Sequence, residues 1–177
     1  SDLGKWKPEN YGKEFYGPST LRKGIENSRN LITIRIAQYL GMEKVAEIAE
    51  RAGVMEDMPN VLSMALGAGE TTLIDLTAAY ASFVNGGKKI VPSLIDRIQD
   101  RRGKNIFLEN FATCTNCDEP YIEENPMPKL ANSSESVFDE AKSYQMVSIL
   151  KGAVDRGTGR KTKIDGIEIA GKTGTTN

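Results

Sequence analysis

Ala170-Gly171-Lys172-Thr173-Gly174-Thr175-Thr176-Asn177 is the stretch on which the reading of this chain turns, and a short apolar strand over Ile167 to Ala170 leads into it. A lysine, a position without a side chain and a row of hydroxyls on one strand edge offer an anionic peptide end a cation, close backbone approach and several donors. Period-two geometry puts Thr173 and Thr175 on the same strand face. A bare Lys-Thr-Gly tripeptide is a modest signal by itself. Its weight depends on what else the chain carries, and in what order.

With 177 residues and 39% apolar content, the chain has the length of one domain and the material for a core. Its 23 basic and 24 acidic residues give a net charge of −1, which argues against a general nucleic-acid or anionic-membrane surface. No apolar run approaches the ~20 residues needed to span a bilayer, and the N-terminus lacks a basic-then-apolar signal segment. The chain begins abruptly at Ser1 and stops within the expected strand, so it reads as an excised fragment truncated at both ends. A membrane anchor in a longer parent stays open.

Histidine is absent, which removes the commonest general base and the commonest metal ligand. Acid–base work then falls to Lys, Ser, Tyr or carboxylates, and neither a metal site nor a cofactor is expected. The two cysteines, Cys114 and Cys117, form a C-x-x-C in a loop-like segment, too few for a four-ligand zinc site. They are read as a local disulfide in an oxidising compartment, with a redox-active pair as the lesser alternative.

Along the chain, residues 1–18 read as an ordered loop rich in aromatic, Gly and Pro residues. Ser19 or Thr20 caps a short helix to Asn27, and further helices follow, one with Ile32, Ile36, Ala37 and Leu40 at helical spacing that ends at Gly41 and one over Glu43 to Ala52 with Val45, Ile48 and Ala49 inward. Thr72-x-x-Asp75 opens a helix through Tyr80 and Phe83, both read as core, to Gly86-Gly87. Lys89 to Ile98 and Asn105 to Leu108 flank a charged turn and read as a hairpin. Residues 109–135, with both cysteines and an acidic excess, read as a surface insertion within one partial domain spanning 1–177. Ser136-x-x-Asp139 opens a long amphipathic helix carrying Val137, Ala141, Tyr144, Val147, Leu150 and Val154, which Gly157-Thr158-Gly159 ends.

Ser28-Arg29-Asn30 falls at the break between two of these helices, where a hydroxyl and an amide can face a cleft, and it precedes the Lys-Thr-Gly strand. That order resembles the penicillin-binding proteins and serine β-lactamases, whose site joins a Ser-x-x-Lys helix, a Ser-x-Asn loop and a Lys-Thr-Gly strand. Trp6-Lys7-Pro8-Glu9-Asn10-Tyr11, Gly17-Pro18-Ser19-Thr20-Leu21-Arg22, Leu66-Gly67-Ala68-Gly69-Glu70-Thr71-Thr72, Ala79 to Gly87 and Arg156-Gly157-Thr158-Gly159 narrow the resemblance to the transpeptidase domain of class A penicillin-binding proteins of the Gram-negative 1A type. It covers most of the chain, except the cysteine-bearing insertion.

The resemblance implies an α+β fold, here its mainly helical lobe with a small β-hairpin and one site strand. It implies a peptidoglycan cross-linking D,D-transpeptidase whose serine attacks a terminal D-Ala-D-Ala, forms an acyl-enzyme and passes the acyl group to a neighbouring stem-peptide amine. β-Lactams acylate the same serine. Ser28 would shuttle a proton to the leaving amine, Asn30 would hold the substrate amide and Lys172 would set the stabilising field. Thr173 and Thr175 would bind the terminal carboxylate, and Gly174 would let the substrate backbone lie close. The parent would be a bifunctional cell-wall synthase in the periplasm, anchored to the inner membrane, with a glycosyltransferase domain earlier in its chain.

One family motif is missing. No Ser-x-x-Lys precedes Ser28, and Ser148-Ile149-Leu150-Lys151 comes too late in chain order to serve, so Ser148 is read as a helix-surface residue. The fragment alone is expected to be inactive. A D,D-carboxypeptidase or β-lactamase of the same superfamily and a non-catalytic binding domain remain as alternatives. Every version requires the Ser28–Asn30 bend and Lys172 to border a shared groove.

Overall fold

Thr20 starts the helical body, its hydroxyl accepting the Lys23 amide at 3.2 Å to cap α1 (Leu21–Glu26). The computed structural model describes residues 6–109, 113–115, 129–131 and 134–174. Helix α2 (Asn30–Leu40) ends at Gly41, whose φ of 86° suits a residue without Cβ, and α3 (Met42–Arg51) follows at once. A 3-10 helix over Leu62–Leu66 folds back onto them. Together they enclose Ala37, Met42, Ala46 and Met58, with Val45, Ala49, Met55 and Leu62 packed around. Small and flexible side chains at these positions let three short elements approach closely.

Thr72 caps α4 (Leu73–Val84) by accepting the Asp75 amide at 3.1 Å, as the Thr-x-x-Asp spacing predicts. Helix α5 (Glu140–Asp155) is the longest element, and both α1 and α4 pack against it. Ala153 is fully buried and Val154, Leu150 and Ile149 nearly so. Ser82 and Ser143, each 1% exposed, bond back to the carbonyls four residues earlier, Ala78 and Asp139, so neither leaves a buried hydroxyl unpaired.

The β content is small, as the fold class predicts. Strands β1 (Arg97–Gln99) and β2 (Asn105–Leu108) form an antiparallel hairpin pairing Ile98 with Phe107. Its turn is organised by Asp100, whose carboxylate accepts the amides of Arg102 at 2.8 Å and Lys104 at 3.0 Å. The first arm begins at Arg97, well after Lys89. In the segment read as an insertion, β3 (Thr113–Thr115) pairs antiparallel with β4 (Lys129–Ala131), so Cys114 sits in a short strand opposite Leu130 where a loop was expected. Cys117, and with it the disulfide reading, lies outside the described residues.

Three expectations about packing shift. Asp139, not Ser136, is the N-cap of α5, accepting the Lys142 amide at 3.1 Å, because the Ser136 backbone is engaged in a bridge with Lys88. The buried face of α5 therefore runs through Ser143, Leu150 and Val154, and Tyr144 is 76% exposed. The apolar segment from Ile167 does not enter a ladder. Ile167 makes an isolated bridge with Ile164, and the Gly171 amide donates to the Leu150 carbonyl at 3.2 Å, so the segment hangs from α5. A strand is defined by its ladder partner, and among the described residues 168–174 have none.

Candidate active site

Ser28 occupies the first position beyond α1 and its cap residue, Asn27. There the Ser28 amide donates to the Ile25 carbonyl at 3.0 Å, and the Arg29 amide to that of Gly24 at 2.9 Å. This is the paired closure of a helix C-terminus that normally calls for glycine in the left-handed region. Ser28 adopts it with φ 52°, one of three residues other than glycine at positive φ among those described. The strain has a product: the chain reverses within two residues and the hydroxyl is thrown outward at the mouth of the bend. Asn30 then begins α2, its Nδ2 donating to the Glu9 carbonyl at 3.0 Å. One amide hydrogen is thus tied to the N-terminal segment, and Nδ2 has a second.

Lys172 meets this bend from the other end of the chain. Its Nζ donates to Ser28 Oγ at 2.8 Å and to the Thr173 carbonyl at 2.7 Å. Burial holds its pKa below the ordinary lysine value of 10.5. Thr173 Oγ1 stands 2.7 Å from Thr158 Oγ1, in the turn after α5. A Cβ built on Gly174 would touch nothing within 4 Å among the described residues, which leaves this edge room for a ligand. Thr175 lies outside the described residues.

The groove between the two ends has a volume of about 1120 Å³ and is lined by Ser28, Asn30, Lys172, Thr173, Gly174 and Thr158 among others. Its apolar wall includes Tyr80, Phe83, Met146 and Leu150. Tyr80 and Phe83 are therefore groove residues and not closed core: Tyr80 is 39% exposed, and its ring meets Phe83 edge-on with centroids 6.4 Å apart. Phe83 in turn stacks on Phe138 at 4.5 Å, which fixes the wall from behind. Burial raises the Tyr80 phenol's pKa.

Ser148 and Lys151 do not assemble a second site. Ser148 Oγ accepts from Arg22 Nη1 at 3.4 Å, and Lys151 pairs with Glu168. Neither lines the groove. Ser148 is half-buried against α1, where the sequence suggested open helix surface.

A feature that sequence reading missed lies beneath the bend. Glu26, only 5% exposed, receives Arg156 Nε on Oε2 at 2.9 Å and Arg156 Nη2 on Oε1, with Arg22 Nη1 3.5 Å from Oε1. The Thr158 amide donates to the Glu26 carbonyl at 3.1 Å. A Cβ on Gly157 would come within 2.1 Å of that carbonyl, and one on Gly152 within 2.1 Å of Glu26 Oε1. The clamp ties the start of the bend to the turn carrying Thr158. The sole sequence hint was the Arg156-Gly157-Thr158-Gly159 run, which has no local partner for its arginine.

Comparison with known proteins follows the same lines. The penicillin binding protein transpeptidase domain family matches residues 1–177. Penicillin-binding protein 1A of Rickettsia bellii is 42% identical over 97% of this chain and 22% of its own length, and that of Pseudomonas aeruginosa is 30% identical over 97% and 25%. The chain thus spans about a fifth to a quarter of these relatives. The crystal structure of penicillin-binding protein 1A from Haemophilus influenzae superposes with a TM-score of 0.79 at 31% identity, covering 97% of this chain and 29% of that one.

Proposed function

Because the chain belongs to the penicillin-binding protein transpeptidase domain family, we propose that it carries two walls of the site of a peptidoglycan cross-linking D,D-transpeptidase. In this reading the parent is a bifunctional cell-wall synthase working in the periplasm from an inner-membrane anchor. Its substrates are stem peptides ending in D-Ala-D-Ala, and β-lactams are its inhibitors.

The contact between Lys172 Nζ and Ser28 Oγ at 2.8 Å carries the proposal. Because an ammonium only donates, Ser28 accepts from it and keeps its own hydrogen for a second partner. When a serine supplied by the parent attacks the D-Ala-D-Ala carbonyl, a base also supplied by the parent takes its proton, an Oγ–C bond forms and the C–N bond to the terminal D-Ala breaks. The departing amine needs a proton, and Ser28 is placed to deliver it while Lys172 replaces the proton Ser28 gives up. Desolvation, which already makes the ammonium less favourable, helps Lys172 release it. The acyl ester is then taken by an amine: the C–Oγ bond breaks, the proton the amine sheds goes to the serine oxygen, and the proton first taken from that serine recharges Lys172.

Asn30 is positioned to meet a substrate amide, Gly174 leaves space for its backbone and Thr173 presents a donor to its terminal carboxylate. The 177-residue chain has no Ser-x-x-Lys before Ser28, and on its own it is proposed to form no acyl-enzyme.

The test uses the chain and its full-length parent side by side. A fluorescent penicillin should label the parent at a serine outside this chain and leave the chain dark, and the parent given an amine acceptor should yield cross-linked product with release of D-Ala. Labelling of the chain at Ser148 would overturn the assignment. Release of D-Ala to water alone would favour a hydrolase.

A further inference from the structure

The corner Arg156-Gly157-Thr158 takes no part in the chemistry above, yet it is among the most constrained pieces of backbone in the protein. Its arginine is held by the buried Glu26 carboxylate, its glycine has no space for a side chain, and the Thr158 amide is bonded to the Glu26 carbonyl. The Gly159 amide is held in turn by the Ala153 carbonyl at 2.9 Å. The Thr158 side chain is nevertheless exposed and lines the groove, with its oxygen 2.7 Å from Thr173 Oγ1. So much constraint under one outward hydroxyl suggests that its position is used.

Resting on the transpeptidase reading, we infer that Thr158 is a positioning residue for the ligand carboxylate, setting the direction in which Thr173 donates its proton. A threonine hydroxyl has one hydrogen and two lone pairs. Of the two threonines, one must donate to the other. If Thr173 donates to Thr158, its hydrogen is spent and a carboxylate in the groove faces a lone pair. If Thr158 donates, one lone pair of Thr173 is filled, and the Lys172 ammonium, at a long 3.5 Å, approaches the same oxygen. The Thr173 hydrogen is then the group left to point outward. An anion in the groove selects this second arrangement, and the Glu26–Arg156 clamp keeps Thr158 in register with Ser28, which leaves α1 two residues after Glu26.

The experiment uses the full-length parent with a penicillin and with the methyl ester that masks its carboxylate. Thr158→Val keeps the shape and removes the hydroxyl. It should weaken pre-acylation binding of the free acid about tenfold, leave the acylation step itself unchanged and leave the ester unaffected. Thr158→Ser, which restores the hydroxyl, should bind the acid within about twofold of wild type. Wild-type binding of the acid by Thr158→Val overturns the inference, as does an equal loss for acid and ester, the mark of general damage to the site. If the wild-type parent takes neither compound, the functional reading falls and this inference with it; a labelled wild type beside an indifferent variant removes this inference alone.

Discussion

Ser28 Oγ and Lys172 Nζ lie 2.8 Å apart across 144 residues of chain, and each residue reaches that contact under a penalty. The serine stands at φ 52° and the lysine is desolvated. The two penalties can be measured separately.

The lysine is the one that responds to pH. Burial lowers its folded pKa below the unfolded 10.5, so between those two values the unfolded chain binds more protons and stability rises with pH. The penalty is fully present below the folded value and gone above 10.5. Compared with Lys172→Met, wild type should therefore gain relative stability as pH is raised from neutrality towards 10.5, read by urea unfolding at each pH. A gap that moves the other way would mean that the Ser28 contact outweighs desolvation.

The serine's penalty shows in the contrast between two substitutions that both remove the hydroxyl. Ser28→Gly relieves the left-handed backbone and Ser28→Ala does not, so the glycine variant should be the more stable by about 1 kcal/mol in chemical denaturation. On the proposed function, both should abolish D-Ala transfer in the full-length protein. Equal stabilities would show that the bend carries no strain.

Beneath the bend, Arg156→Ala leaves a nearly buried carboxylate whose remaining ion pair among the described residues is the weak Arg22 contact. Because the arginine itself is half-exposed, the expected loss is about 2 kcal/mol, below the range for a fully buried pair. Gly157→Ala should cost a similar amount, about 1–3 kcal/mol, by pushing its Cβ against the Glu26 carbonyl. Urea unfolding of the three proteins checks both figures. An Arg156→Ala variant as stable as wild type would remove the clamp from the account of the site.

How much was legible in the sequence depended on how far the deciding partner lay. Thr20 and Thr72 cap helices through amides three residues on, and strand β2 pairs across a short turn, so local pattern sufficed for all three. Asp139 displaced Ser136 as a cap because Ser136 is bound by Lys88, far back in the chain. Glu26 and Arg156 are 130 residues apart, and no periodicity couples them. Tyr80 and Phe83 fit a helical core stripe, but periodicity cannot say whether the stripe faces packed neighbours or a groove. The Lys172 segment looked like a strand by composition, yet composition does not supply a ladder partner.

The reading of residues 109–135 as a surface insertion is open to a test. Replacing residues 110–133 with a short Gly-Ser link should leave the denaturation midpoint of the remainder within about 0.5 kcal/mol, since lengthening or shortening a surface loop changes closure entropy only slowly. A broad or strongly lowered transition would show that this segment supports the body.

The reason lies where the longer stretch that contains both it and the β1–β2 hairpin, residues 90–134, begins and ends. Lys88 bridges Ser136, the Lys89 amide reaches the Glu135 carbonyl at 2.8 Å, and the Gly87 carbonyl takes the amides of both Val137 and Phe138. Arg51 adds a latch by donating to the carbonyls of Ser136 and Val137. Departure and return of residues 90–134 thus share one doorway bolted from the helical side, and a shorter stretch threaded through it is expected to leave the groove around Ser28 unaltered.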